Sequence, residues 1–173
     1  MFPEVNSILG YFLSHPTRQV HLRELARQTE FSPAGALKAV RKLVKKGILI
    51  EKKTRAVTNL RANVESPLWI PLKRAYNLYS IYACGLVEAL SDTYEEPAAL
   101  VLFGSYARGD DTEESDIDIA VVTRIEAAFG RKSFEKSLGR HINIIELELS
   151  KAKGEFIESL VNGIVLRGHL ALP

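Results

Sequence analysis

The feature that most constrains this chain is a pairing. An apolar run, Ala98-Ala99-Leu100-Val101-Leu102-Phe103, ends in Gly104-Ser105, and Asp116-Ile117-Asp118 follows after ten intervening residues. The run before Gly104 reads as a buried strand that stops at a turn. Such a turn offers backbone N–H groups to a phosphate. The two carboxylates stand at i and i+2 in a second apolar stretch, with Ile117, Ile119, Ala120, Val121 and Val122 around them. On a strand that spacing puts both acids on one face, where they suit a divalent cation. The combination predicts Mg²⁺-assisted chemistry on a nucleoside triphosphate.

Charge divides the chain. Residues 1–66 hold 12 Lys and Arg against 5 Asp and Glu, a net of +7; residues 67–173 hold 11 against 16, a net of −5. A basic front and an acidic back point to two modules with different partners. No apolar run is long enough to cross a bilayer, so no membrane association is expected. Met1-Phe2-Pro3-Glu4-Val5 lacks the basic start and apolar centre of a signal peptide, which predicts a cytoplasmic protein. Cys84 is the single cysteine, so no internal disulfide forms, and its apolar flanks predict a buried, inert thiol.

In the front module, Val5, Ile8, Leu9, Phe12 and Leu13 predict a helix over 4–14. Val20–Leu22 is brief and extended, and a second helix covers about 22–29. Ser32 is placed to cap a third helix, with Pro33 at its first position. That helix runs to about 46, with Ala36, Leu37, Val40, Leu43 and Val44 inward. Lys38, Arg41, Lys42, Lys45 and Lys46 lie largely opposite, and Gly47 stops it. Ile48-Leu49-Ile50 opens a hairpin with a basic tip, Lys52-Lys53-Thr54-Arg55, and a return strand over about 57–64. This order predicts a winged helix-turn-helix over residues 1–66, in which the basic helix enters the DNA major groove and the hairpin touches flanking phosphates. Ser32, Lys38, Arg41, Lys42, Lys45, Lys52, Lys53 and Arg55 are its candidate DNA-binding residues.

Residues 67–94 predict a single connecting helix, packing on both modules and joining a homodimer. Its Tyr76, Tyr79 and Tyr82 read as packing residues rather than as a base-stacking ladder. Residues 95–173 alternate strand and helix: strands to Phe103, over 115–123 and over 141–149, helices over 124–139 and 151–161. That makes a small α/β domain around a mixed sheet, within an α+β chain. Asp110, Asp111, Glu113 and Glu114 read as a solvated loop. Arg108 is open between a phosphate ligand and an ion-pair partner.

Phe103-Gly104-Ser105-Tyr106-Ala107-Arg108-Gly109 and Ser115-Asp116-Ile117-Asp118-Ile119 resemble the minimal nucleotidyltransferases of the DNA polymerase β-like superfamily, the group that includes kanamycin nucleotidyltransferase. The resemblance covers about residues 95–166. It implies that Asp116 and Asp118 hold Mg²⁺ (or Mn²⁺) and act in catalysis. It implies too that Gly104, Ser105 and Arg108 bind ATP or another NTP. Active members place a third carboxylate on the next strand. Here Asn143 stands there, in Gly139-Arg140-His141-Ile142-Asn143-Ile144-Ile145. An amide is no base at neutral pH. Glu146 falls on the opposite strand face unless a bulge intervenes, whereas His141 has the parity of Asn143.

Leu60-Arg61-Ala62-Asn63-Val64-Glu65-Ser66-Pro67-Leu68-Trp69 resembles the wing and exit segment of ArsR-like winged-helix regulators. The resemblances imply transfer of AMP from ATP to a protein or small molecule. In some relatives the acceptor is a HEPN-type partner in a toxin–antitoxin pair. The alternative is a DNA-binding transcriptional regulator whose second domain binds nucleotide without turnover.

Overall fold

The computed structural model describes residues 8–53, 58–151 and 154–171. The chain divides into two compact units between Tyr76 and Asn77.

The first unit holds α1 (Ile8–Ser14), β1 (Gln19–His21), α2 (Leu22–Gln28), α3 (Pro33–Lys45), β2 (Leu49–Lys53) and β3 (Thr58–Ala62). The three strands form an antiparallel sheet in the order β1-β3-β2. Ser32 caps α3, its hydroxyl accepting from the Gly35 N–H at 3.1 Å. Ala36 and Val40 are the buried residues of α3, while Leu37, Leu43 and Val44 are half-buried. Ala36, Val40, Leu43 and Val44 pack with Phe12, Leu13, Leu25, Leu49 and Leu60 in one core. The start of the predicted first helix and the hairpin tip, with Thr54 and Arg55, lie outside the described residues.

The connecting segment is two helices, not one: α4 (Trp69–Ala83) and α5 (Leu86–Thr93). Gly85 breaks the run with φ +77°, a left-handed conformation that a residue with a Cβ adopts at a cost. Tyr76 is buried in the first unit's core, whereas Tyr79 and Tyr82 are two-fifths exposed. The Tyr82 hydroxyl donates to the Leu166 carbonyl. Cys84 is half-buried rather than buried. Its thiol donates to the Ile81 carbonyl at 3.2 Å, and burial raises its pKa.

The second unit is built on a four-stranded sheet, β6-β5-β4-β7, comprising β4 (Ala99–Phe103), β5 (Ile117–Val122), β6 (Ile142–Leu147) and β7 (Ile164–Gly168). Only the β5–β6 pair is parallel; β4 runs antiparallel to β5 and to β7. The parallel pair needs a crossover, and the connection contains α7 (Lys132–Leu138). The helix expected over 124–139 is therefore confined to its second half. Strand β7, which the sequence pattern does not announce, closes the sheet on the far side of β4. A five-residue helix, α6 (Gly104–Arg108), follows β4, and α8 (Glu155–Val161) precedes β7.

The sheet's two faces are both covered. Leu100, Leu102, Ile117, Ile119, Val121 and Ile142 pack with Leu86 and Leu90 of α5, with Tyr94 just after it and with Tyr106 of α6. Val101, Phe103, Ala120 and Val122 pack with Leu160 and Phe156 of α8. β4 is buried at all five positions, which is why it reads as a continuous apolar run rather than an alternating one. No helix among the described residues is long and apolar enough to cross a membrane.

Candidate nucleotide site

The sheet register assembles the site. Phe103 pairs with Asp118 on β5, and Asp118 pairs with Asn143 on β6. The end of β4, the first acid of β5 and the amide of β6 thus lie in one row. Asp116 directly precedes β5 and is exposed; Asp118 is half-buried. Both have the parity of Ala120 and Val122 on the α8-covered face, so the i, i+2 spacing brings them to the same side.

Gly104 follows Phe103 with φ +73°. A Cβ built there would run into the Asp118 carboxylate. Glycine is therefore required twice over, by the left-handed backbone and by the close approach of that carboxylate. The result is that the Gly-Ser turn and the acid on the neighbouring strand close on one another. Ser105, half-buried, is the next residue, and no side chain caps the start of α6. Carboxylates and an uncapped turn at this separation fit a cation bound together with a triphosphate.

Asn143 donates from Nδ2 to Asp118 Oδ1 at 3.2 Å. A carboxylate at 143 would put a like charge at that distance; the amide supplies a donor instead. Among the described residues no cluster of three or more His, Cys, Asp and Glu is arranged to hold a metal. Asp116 and Asp118 are the two acids on this strand face; Glu113, Glu114 and Glu135 line an open cleft with Asp116. Glu146 does not join them. The β5–β6 register is regular, and the Glu146 carboxylate accepts from the Tyr94 hydroxyl at 2.6 Å on the other face. Burial, then the adjoining carboxylate, raises the Tyr94 phenol well above its ordinary range.

Arg108 is exposed and pairs with Asp110 across 3.1 Å. Asp111 corrects the expectation of a uniformly solvated loop, being 2% exposed. Its Oδ1 accepts from Asn77 Nδ2 at 2.7 Å, and its Oδ2 lies 4.0 Å from Arg140 Nη2. Asn77 also donates to the Tyr106 carbonyl at 2.9 Å. This buried set ties the loop that leads into Asp116 to α6 and to the approach of β6. Sequence reasoning does not single out Asn77. Its signal is an amide between Tyr76 and Leu78 in a largely apolar helix, since a buried polar group needs a partner.

His141 precedes β6, and its Nδ1 donates to Glu135 Oε1 at 2.7 Å. Glu135 also accepts from the Ile142 N–H at 3.1 Å and faces Arg131 Nε at 3.7 Å. The backbone N–H of Ile142 chiefly, with His141 and Arg131, holds the Glu135 carboxyl below its ordinary value against a smaller opposing effect of desolvation. Asp116, Glu135, Arg140 and His141 line one open cleft of about 360 Å³.

In the first unit, Lys38, Arg41, Lys42 and Lys45 are all at least partly exposed on α3, and Lys52 and Lys53 are exposed on β2. Lys53 pairs with Glu51 across 3.3 Å. Ser32, a candidate DNA-binding residue, has its hydroxyl engaged as the α3 cap.

Residues 83–165 match the family model described as the nucleotidyltransferase domain. This part of the chain is thus similar to enzymes that move a nucleotidyl group, and such enzymes use an NTP. A curated protein of Methanocaldococcus jannaschii is 54% identical over 41 residues, 23% of this chain. Its name is protein adenylyltransferase, itself provisional. The chain spans 41% of the length of that relative.

Proposed function

We propose that the second unit binds a nucleoside triphosphate with Mg²⁺ and transfers a nucleotidyl group, AMP from ATP, to a protein or small-molecule acceptor. The observation that carries this reading is the closure of Gly104 on Asp118. It sets a phosphate-binding turn against the carboxylate pair of a neighbouring strand. Asp116 and Asp118 are the residues that would hold the cation, Mg²⁺ or Mn²⁺. When bound, the cation offsets the negative charge of the triphosphate in an in-line displacement. Ser105 and the backbone N–H groups after Gly104 bind phosphate oxygens, and Arg108 is within the same turn to exchange Asp110 for a phosphate. The name of the Methanocaldococcus relative favours a protein acceptor and adenylyl transfer.

The first unit supports a DNA-binding role. Its helix order, capped basic α3 and basic β2 suit a winged helix-turn-helix, with Lys38, Arg41, Lys42, Lys45, Lys52 and Lys53 facing phosphates and bases. A HEPN-type protein as acceptor in a toxin–antitoxin pair is the partner the family resemblance suggests, and a homodimer is the partner the apolar connecting segment suggests.

A second reading is favoured by one observation. Asn143 hydrogen-bonds Asp118 where active members of the family it resembles carry an acid. On this reading the chain is a DNA-binding regulator that senses nucleotide without turnover.

Calorimetric titration of ATP, with and without Mg²⁺, tests the first reading against wild type and an Asp116→Asn, Asp118→Asn double variant. Metal-dependent binding that disappears in the variant is expected. Absence of binding to wild type overturns the nucleotide site. Binding without pyrophosphate release in the presence of acceptor favours the regulator.

A further inference from the structure

We infer that His141, held by Glu135, is the general base that accepts the proton of the acceptor hydroxyl; this rests on the nucleotidyl-transfer reading above. The site needs a proton acceptor from some residue, and the position on β6 where a third acid is expected carries Asn143, which cannot serve. Two residues earlier, the Ile117 N–H donates to the His141 carbonyl at 2.8 Å, continuing the parallel register beyond the end of the strands. That bond sets His141 beside Asp116 on the neighbouring chain segment. Both side chains line the same open cleft.

The imidazole is oriented for the task. Glu135 accepts from Nδ1–H at 2.7 Å, so the neutral ring carries its lone pair on Nε2, on the side away from the carboxylate. Glu135 is itself fixed, by the Ile142 N–H at 3.1 Å and by Arg131. A base whose second nitrogen is anchored by a carboxylate is the arrangement that orients imidazole and stabilises imidazolium in proton transfer. The His141 side chain is 56% exposed, which leaves Nε2 accessible to an acceptor entering the cleft.

The step balances simply. The acceptor oxygen forms a bond to the α-phosphorus of the nucleotide. The bond from that phosphorus to the α–β bridging oxygen breaks. Pyrophosphate leaves with the electron pair, and the acceptor's proton passes to His141 Nε2. His141 is then a catalytic residue and Glu135 a positioning residue.

The test uses the full chain with MgATP, water standing in for the acceptor hydroxyl, and reads pyrophosphate release beside calorimetric nucleotide affinity. His141→Gln alters a half-exposed position and preserves an amide for Glu135, so it folds. It is expected to bind MgATP as wild type does and to release pyrophosphate about 10²-fold or more slowly. Glu135→Gln is expected to lower kcat less than His141→Gln does, with KM for ATP unchanged; an equal rise in KM would make the pair structural. Equal rates for wild type and His141→Gln overturn the assignment while leaving the transfer reading intact. MgATP binding by a wild type that releases no pyrophosphate also overturns it. If wild type binds no MgATP, the transfer reading itself falls, and the base assignment with it.

Discussion

Asn143 and Asp118 face each other across the parallel β5–β6 pair, amide to carboxylate, at 3.2 Å. In this geometry residue 143 can relieve the negative charge of the site or add to it. Replacing the donor with an acceptor would bring two carboxylates together, and like charges so close resist joint ionisation.

Asn143→Asp is therefore expected to melt lower than wild type in EDTA, by about 2–4 °C for each ~1 kcal/mol of repulsion. Saturating Mg²⁺ should restore most of the loss, and metal-dependent ATP affinity should rise. Differential scanning fluorimetry with and without Mg²⁺ measures the melting shift, and calorimetry the affinity. A variant that melts lower but does not respond to Mg²⁺ would mean that residue 143 does not face the cation.

Gly104→Ala forces a Cβ into the left-handed region and against Asp118. The backbone term alone costs roughly 1–2 kcal/mol. Metal-dependent ATP binding should be lost because Asp118 must move. Denaturant melts and calorimetry on the same preparation check the two effects separately.

The Glu135 carboxyl is held below its ordinary value, first by the Ile142 N–H. A carboxyl with a depressed folded-state pKa contributes stability above the unfolded value of about 4.3 and loses it as pH falls through the folded value. Wild type should thus be more stable than Glu135→Gln at pH 6, and the gap should close below about pH 4. Urea melts of both proteins across that range give the answer.

Tyr94→Phe removes the hydroxyl that meets Glu146 at 2.6 Å. The loss should cost about 0.5–1.5 kcal/mol, the net worth of one hydrogen bond, because Glu146 is exposed and water can replace the phenol. Nucleotide affinity should be unchanged, since Tyr94 and Glu146 lie on the sheet face away from the acids. A fall in affinity would place Glu146 in the site after all.

For the first unit, Lys38→Ala and Arg41→Ala should weaken DNA binding. Removing a side chain that meets a phosphate should also flatten the dependence of log affinity on log salt, by about 0.9 for each phosphate no longer neutralised. Fluorescence anisotropy with a labelled duplex, over a salt series, distinguishes phosphate binders from base readers. An unchanged slope with relaxed sequence preference identifies a base reader.

The Gly-Ser turn and the acid pair are legible in the sequence because their spacing is local. Gly104, Ser105, Asp116 and Asp118 sit within fifteen residues, and buried strands on either side fix their faces. The cap at Ser32 is legible for the same reason. What escapes depends on distant partners. Asp111 looks like one of several loop acids until Asn77 and Arg140 close around it. Strand β7 is short and only Leu166 within it is buried, so it becomes a strand only by pairing with β4. Gly85 looks tolerable in a long apolar helix, and the backbone instead uses it to turn. Residues 124–131 contain helix formers but no buried stripe to hold them, and the helix begins only at Lys132.

The position of β5 within the sheet has a mechanical consequence. Asp118 lies on a strand paired along both edges, as β4 is, whereas His141 leads into a strand with one free edge and Ser105 rides a helix of five residues. Resistance to local opening follows such pairing. On the proposed reading, the half of the site that would hold the cation is an anvil, set before any ligand arrives. The half that would receive an acceptor has the freedom to adjust to molecules of different shape.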